Sequence, residues 1–76
     1  MELFYILSLE RTRPNHPCWW RPARMGYTHE LDTAGRYSRQ EAMAIHATDI
    51  FRNDIPVPCD IVDEARRNET DAHNPE

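Results

Sequence analysis

The chain of 76 residues contains no lysine, only two glycines and only two cysteines. All nine basic residues are arginines. An arginine can form bidentate hydrogen bonds to carboxylates and stack on aromatic rings, whereas a lysine would provide only a point charge. Two glycines are too few for a glycine-rich loop that cradles phosphates. Two cysteines fall well short of a disulfide framework, although a single bridge is open to them. We expect Cys18 and Cys59 to be free thiols that behave as small apolar residues.

The sequence also has no apolar run of the length that spans a membrane. Its first residues lack the basic segment and the small-residue cleavage site of a secretory signal peptide, so a cytoplasmic location is expected. The length predicts a single domain over residues 1–67. Residues 68–76 are expected to form a disordered acidic tail, because Ala72 is their only apolar residue.

Charge is unevenly distributed along a chain whose net charge is −4. The segment 11–39 contains six arginines and two acids, which gives a local charge of +4, and it is rich in aromatic residues. The segment 60–76 contains six acids and two arginines, which gives a local charge of −4. A basic, aromatic middle and an acidic end are therefore the main asymmetry of the chain.

One helix is predicted with a defined start. Ser38 and Glu41 have the spacing of a capping box, in which the serine oxygen accepts from the backbone N–H of the glutamate. The helix is expected over Arg39–Arg52, and a shorter helix is expected from Asp60 through Arg67. Ile45 falls on the polar side of the first helix. Helical spacing predicts that the core-facing stripe of this helix consists of Met43, Ala47, Ile50 and Phe51.

Four stretches have the composition of β-strands. Leu3–Leu9 is a continuous apolar run, which indicates a central strand. Cys18–Arg21 lies between two prolines and is predicted as a short strand near an edge, while Tyr27–Leu31 alternates like a half-buried strand. Ile55–Cys59 carries two prolines and is predicted as an edge strand or a strap. Together these elements predict an α+β fold, a small antiparallel sheet of three or four strands covered on one face by a single helix.

The adjacent tryptophans are predicted to have opposite roles. Successive side chains of a strand point to opposite faces, so Cys18 shares a face with Trp20, and Trp19 shares the other with Arg21. Cysteine is among the most buried residue types and arginine among the least. Trp20 is therefore expected in the core under the helix, and Trp19 is expected to face outward. The alternative is that Trp19 covers a second small core.

No motif for catalysis or for a cofactor stands out. A zinc site could be drawn from two histidines and two cysteines, but these lack the close, regular spacing of zinc ligands. Nucleophilic catalysis by Cys18 or Ser38 would need a histidine and an orienting acid, and Ser38 is already explained as a helix cap. We therefore expect no metal, no cofactor and no enzymatic activity. The weak candidate metal ligands are His16, Cys18, His29 and Cys59.

Two kinds of binding remain. Arginines interleaved with aromatic residues, as in segment 11–39, are typical of single-stranded nucleic-acid binding, although the net negative charge opposes it. Tryptophan, tyrosine and arginine are also enriched at the hot spots of protein interfaces, and we favour a protein partner. The acidic end could occupy a basic channel on that partner. The residues predicted to contact the partner are Trp19, Arg21, Arg24, Arg36, Ile45, Asp60, Asp63 and Glu64.

Short motifs between Leu3 and about Val62 resemble those of a group of small, uncharacterised phage and prophage proteins. The resemblance implies an accessory gene of a mobile element that acts in a bacterial host cytoplasm. By analogy with small acidic phage inhibitors, including anti-CRISPR proteins, the expected partner is a bacterial host protein or ribonucleoprotein complex, and no membrane is involved. A nucleic-acid-binding accessory protein is the alternative. The motifs are Tyr5-Ile6-Leu7-Ser8-Leu9, Thr12, Trp19-Trp20-Arg21-Pro22, Gly26-Tyr27, Leu31, Ala34-Gly35-Arg36-Tyr37-Ser38 and Val57-Pro58.

Overall fold

The computed structural model describes residues 2–72 and has an α+β architecture, in which two helices pack on an antiparallel five-stranded sheet. Single turns of 3-10 helix at Pro22–Arg24 and Leu31–Thr33 lie in the connections. The helices are α1 (Arg39–Ala47) and α2 (Cys59–Ala72). The strands are β1 (Leu3–Ser8), β2 (Trp19–Trp20), β3 (Tyr27–Thr28), β4 (Tyr37–Ser38) and β5 (Asp54–Pro58).

β1 is the central strand, as its apolar character on both faces predicts. Along Phe4–Ser8 it pairs with β5 on one edge. Its other edge is shared by β4, near the start of the strand, and by β2, near its end. β3 pairs with β2, so β2 is paired on both sides rather than lying at the predicted edge. β5 is an edge strand as predicted, which suits its two prolines, because proline has no N–H to donate to a further neighbour.

α1 covers one face of the sheet and follows β4 without a connecting loop. Ser38 ends β4 and caps α1, and its side-chain oxygen accepts from the Glu41 N–H at 3.2 Å, so the serine half of the predicted capping box is confirmed. This junction sets the rotation of the helix and turns Ala42 and Ile45 toward the sheet. The core under α1 consists of Phe4, Ile6, Tyr37, Ala42 and Ile45, with Trp20 packed against it.

The predicted length and face of this helix are wrong. α1 ends at Ala47 rather than Arg52. The Thr48 hydroxyl donates to two carbonyl oxygens of the last turn, and one of these, that of Ile45, would accept from a backbone N–H if the helix continued. Ile45, predicted on the polar side, is only 3% exposed, because the helix turns that side toward the sheet. All four residues of the predicted core stripe are exposed instead: Met43, Ala47, Ile50 and Phe51.

α2 covers the opposite face, where no helix was predicted to pack. The short helix predicted from Asp60 through Arg67 is present as part of this longer helix. It begins at Cys59, directly after β5, and continues through Ala72, into the segment predicted as a disordered tail. Residues 73–76 of that predicted tail lie outside the described residues. Within residues 2–72, neither helix has the length and apolarity needed to cross a bilayer. The core under α2 consists of Tyr5, Trp19 and Cys59, surrounded by Leu3, Leu7, Leu31, Ala34, Val57 and Val62.

β2 sends its two tryptophans to opposite faces, as strand geometry predicts. Trp20 lies on the α1 side and is partly buried there. Trp19 lies on the α2 side and is only 6% exposed, so the expectation that it faces outward is wrong. The physical reason is α2, which covers this face and encloses a second core. The alternative of a second small core is the one that the structure supports.

Candidate functional site

The chain presents two large apolar side chains on a tight turn after α1. Residues 49–52 form a β-turn in which the Arg52 N–H donates to the Asp49 carbonyl oxygen at 3.2 Å. Ile50 and Phe51 occupy the two corner positions, where glycine, proline and small polar residues are usual. Their exposed fractions are 81% and 83%. Adjacent large apolar side chains held in water at a corner are typical of a contact surface.

Hydrogen bonds fix this turn to the sheet. The Asp49 carboxylate accepts from the backbone N–H of Asp54, the first residue of β5. The Asn53 carbonyl oxygen accepts from the N–H of Leu9, just beyond the end of β1, at 2.8 Å. Arg52 adopts a φ of 52°, in the left-handed region, where the chain turns into β5. Phe51 is therefore presented on a backbone that is held at both ends.

Two open clefts meet at Phe51, and we call their lining the Phe51 surface. The smaller cleft has a volume of about 220 Å³ and the larger has a volume of about 570 Å³. Asp49, Phe51 and Asp54 line both of them. The smaller cleft adds Trp20, Arg24 and Ile50, among others. The larger, which we call the acidic cleft, adds Glu10, Tyr27 and Asn53.

The aromatic rings of the Phe51 surface are held by specific contacts. Trp20 and Tyr27 meet edge to face, with their ring centroids 6.3 Å apart. Trp20 Nε1 donates to Asp54 Oδ1 at 3.2 Å, which orients the indole. The guanidinium of Arg11 lies 4.2 Å from the centroid of the Tyr27 ring, a cation–π contact. Tryptophan, tyrosine and arginine are the residue types that most often anchor protein interfaces.

Three carboxylates border the acidic cleft: those of Glu10, Asp49 and Asp54. Burial raises the pKa of Asp54, and the negative charges of Asp49 and Glu10 add to the rise, whereas hydrogen bonds from Trp20 and Asn53 lower it. No ion pair within the described part of the chain neutralises these three groups. The cleft is therefore an uncompensated negative site beside exposed aromatic rings.

The eight residues predicted to contact a partner do not form one surface. Trp19 is buried in the core under α2 and is not available for contact on the folded chain. Ile45 is buried in the core under α1, and its remaining 3% of exposed surface lines the smaller cleft of the Phe51 surface. Arg24 lines the Phe51 surface. Arg36 and Asp63 lie on the α2 side, where they form an ion pair at 3.3 Å. The remaining three are exposed: Arg21, Asp60 and Glu64.

Asp63 connects α2 to the sheet. The Tyr5 hydroxyl donates to one of its carboxylate oxygens at 2.7 Å, and the Arg36 guanidinium donates to the other at 3.3 Å. Arg36 also lies 5.3 Å from the centroid of the Tyr5 ring. Burial, followed by the hydrogen bond and the negative charge of Asp63, raises the pKa of Tyr5 to about 12. Two of the predicted contact residues thus have a structural role, because they hold α2 against the α2 core.

The raised pKa of Tyr5 predicts a loss of stability in alkaline solution. A group whose pKa is higher folded than unfolded stabilises the fold below its unfolded pKa, here 10.0, and the stabilisation falls as the pH rises toward about 12. A rise of two units corresponds to about 2–3 kcal/mol. We expect the urea midpoint to fall between pH 10 and 12, and to fall less steeply in the Tyr5→Phe variant. Equal slopes in both proteins would contradict the assignment.

The cysteines and histidines do not assemble into a reactive centre among residues 2–72. Burial raises the pKa of the Cys59 thiol to about 11, so the thiol stays protonated at neutral pH and is a weak nucleophile. Cys18 is likewise a buried free thiol. The rings of His16 and His29 lie 6.4 Å apart, but no three potential metal ligands converge in the described chain. Both thiols pack as small apolar groups.

Sequence reasoning missed the Phe51 surface because it extended the helix through Ile50 and Phe51. A signal for the turn was present, since Thr48-Asp49 precedes the pair and Asn53-Asp54 follows it, and these residue types favour turns and caps. The prediction instead followed the helical spacing of the apolar residues, which continues through Ile50 and Phe51. Tyr27 was expected in a half-buried strand, but it is 42% exposed on the Phe51 surface.

Comparisons of this chain with protein families, with curated proteins and with solved structures found no match.

Proposed function

We propose that this chain is a non-enzymatic, phage-encoded binding protein that inhibits a bacterial defence complex of the CRISPR–Cas type, or a regulatory complex, by occupying a surface of it. Its place of action is the host cytoplasm, and its contact region is the Phe51 surface. The observation that carries the binding role is the exposure of Ile50 and Phe51 on a hydrogen-bonded turn. The phage origin and the class of target rest on the sequence resemblance and on analogy.

The energetics of the exposed turn support a binding role. Complete burial of an isoleucine or phenylalanine side chain contributes about 1.5–3 kcal/mol. Burying Ile50 and Phe51 together is thus a substantial share of a micromolar affinity, which corresponds to about 8 kcal/mol. Because hydrogen bonds hold the turn at both ends, less conformational freedom is lost when a partner binds.

Phe51→Ala is expected to weaken partner binding by about 2 kcal/mol or more, which is about thirtyfold, and to spare the fold, because the side chain is 83% exposed. The tagged chain would first capture its partner from a nuclease-treated lysate of bacterial host cells. Calorimetric titration of the purified partner would then give the dissociation constant for each variant. Melting temperatures would confirm that the variants are folded.

Ile61→Ala is the matched control for this experiment. Ile61 is 62% exposed on α2 and is not part of the Phe51 surface, so its removal takes away exposed apolar area elsewhere. The proposal expects a loss of affinity for Phe51→Ala and little change for Ile61→Ala. Unchanged affinity for Phe51→Ala, or equal losses for both variants, would contradict a contact through Phe51.

A nucleic-acid-binding accessory protein is the second candidate. The contact between Arg11 and Tyr27 favours it, together with Arg13 in a neighbouring cleft of about 390 Å³, since cations and rings side by side suit single strands. We expect no such binding at physiological salt, because the carboxylates of the acidic cleft repel phosphates. Salt-sensitive retention of a short single strand in a gel shift, lost on Arg11→Glu, would reverse this order.

A further inference from the structure

The acidic cleft combines features that together select one kind of side chain. Two aromatic rings, those of Tyr27 and Phe51, line the same cavity as Glu10, Asp49 and Asp54. The cavity volume of about 570 Å³ accommodates a long side chain that enters from solvent. Tyr27 already has one guanidinium over its ring, that of Arg11, which lines the neighbouring cleft and not this one.

A guanidinium matches this lining better than other groups do. Its flat, weakly hydrated face stacks on aromatic rings, and its fork of N–H donors reaches carboxylate oxygens two at a time. An ammonium group is a more strongly hydrated point charge that makes no planar stack. Asp54 lines the cleft, and its pKa is raised by burial and by the neighbouring acids. A bound cation would relieve the repulsion among the three carboxylates.

The same carboxylates disfavour the other occupants of the Phe51 surface. A nucleic-acid backbone would bring phosphates against Glu10, Asp49 and Asp54. A symmetric dimer through this surface would use the same patch on both copies and would bring the two sets of carboxylates close together. Charge complementarity thus leaves a basic protein segment as the partner that fits.

The geometry points to a recognition site for an arginine side chain of the protein partner, which inserts between Phe51 and Tyr27 and pairs with the carboxylates of Glu10, Asp49 and Asp54. This inference rests on the proposed function and specifies the chemistry that the partner presents. The exposed Ile50 and the ring of Phe51 supply apolar contact, and the acidic cleft supplies selection for the cation.

N-acetyl-arginine amide is the probe for this site, and the matching citrulline amide is its uncharged control. Titration of the isotope-labelled chain is followed by NMR at the Trp20 indole N–H and at the backbone amides of Phe51 and Asp54. We expect the arginine probe to shift these signals with a dissociation constant on the order of 10 mM, as for a weak fragment, and the citrulline probe to shift them little.

Two near-isosteric substitutions test the role of charge. Glu10→Gln and Asp54→Asn remove one carboxylate each, and the asparagine keeps an oxygen to accept from Trp20 Nε1. Each should weaken arginine binding at least about fivefold. Glu64→Gln makes the same change in net charge on α2, outside the acidic cleft, and should change binding less than about twofold.

The outcomes separate this inference from the proposed function. Equal shifts with arginine and citrulline, equal effects of all three variants, or no shifts up to about 50 mM probe would overturn the arginine site. If Phe51→Ala weakens partner binding in that case, the Phe51 surface remains the contact region, and only the choice of an arginine as the inserted side chain fails. If the arginine probe binds selectively while partner binding is insensitive to Phe51→Ala, the site exists and the proposed docking fails.

Discussion

Trp19→Ala should leave the chain largely unfolded at room temperature. Trp19 is 6% exposed and packs against Tyr5, with ring centroids 5.4 Å apart. Among the side chains that the structure describes, the buried part of this core contains one further residue, Cys59. Truncating a buried tryptophan costs about 3–5 kcal/mol, which is comparable to the whole stability expected for a domain of this size. Loss of the native circular dichroism signal and of a cooperative thermal transition would confirm the prediction.

Trp20→Ala is the natural comparison for this variant. Trp20 is only partly buried, and it contacts Tyr37 and Tyr27 at the margin of the α1 core. Its removal also releases Asp54 from the indole N–H. We expect a cost of about half that of Trp19→Ala and a chain that still folds at low temperature. A greater loss of stability for Trp20→Ala would show that the α1 core, and not the α2 core, dominates the fold.

Gly35→Ala is expected to destabilise the chain by about 2–4 kcal/mol through direct steric overlap. A Cβ at this position would lie 2.8 Å from the Cα of Pro22 and 2.9 Å from the carbonyl carbon of Arg21. Both are backbone atoms, so no side chain can rotate away. Gly35 also donates its N–H to the Trp20 carbonyl oxygen at 2.8 Å, and the two segments cannot separate without weakening that bond. Urea unfolding would measure the cost.

The second glycine, Gly26, allows the cost of backbone strain to be compared with the cost of steric overlap at Gly35. Gly26 has a φ of +109°, and a Cβ there would approach only the Cδ of Arg21, at 3.7 Å. Gly26→Ala therefore costs backbone strain of about 1–2 kcal/mol without overlap. We expect Gly35→Ala to be the more damaging substitution. The reverse order would mean that the chain relieves the overlap at Gly35 by a small shift of the Arg21–Pro22 backbone.

Features that depend only on residues close together in the sequence could be predicted from the sequence alone. The central strand β1 follows from an apolar run with no polar face, and the start of α1 follows from the spacing of Ser38 and Glu41. The edge position of β5 follows from its prolines, and the opposite faces of Trp19 and Trp20 follow from the two-residue period of a strand. Each of these depends on local geometry and needs no knowledge of what packs against the element.

The tertiary structure decided which faces are covered. Strand period separates Trp19 from Trp20, but only the packing of α2 on the sheet makes the Trp19 face a core rather than a surface. Helical period defines two possible stripes on α1, and the direct junction with β4 at Ser38 selects the stripe of Ala42 and Ile45. The exposure of Phe51 was likewise decided by tertiary structure, because its apolar spacing does not show that no other element packs over it. Burial is a property of pairs of elements, so a pattern within one element leaves it undetermined.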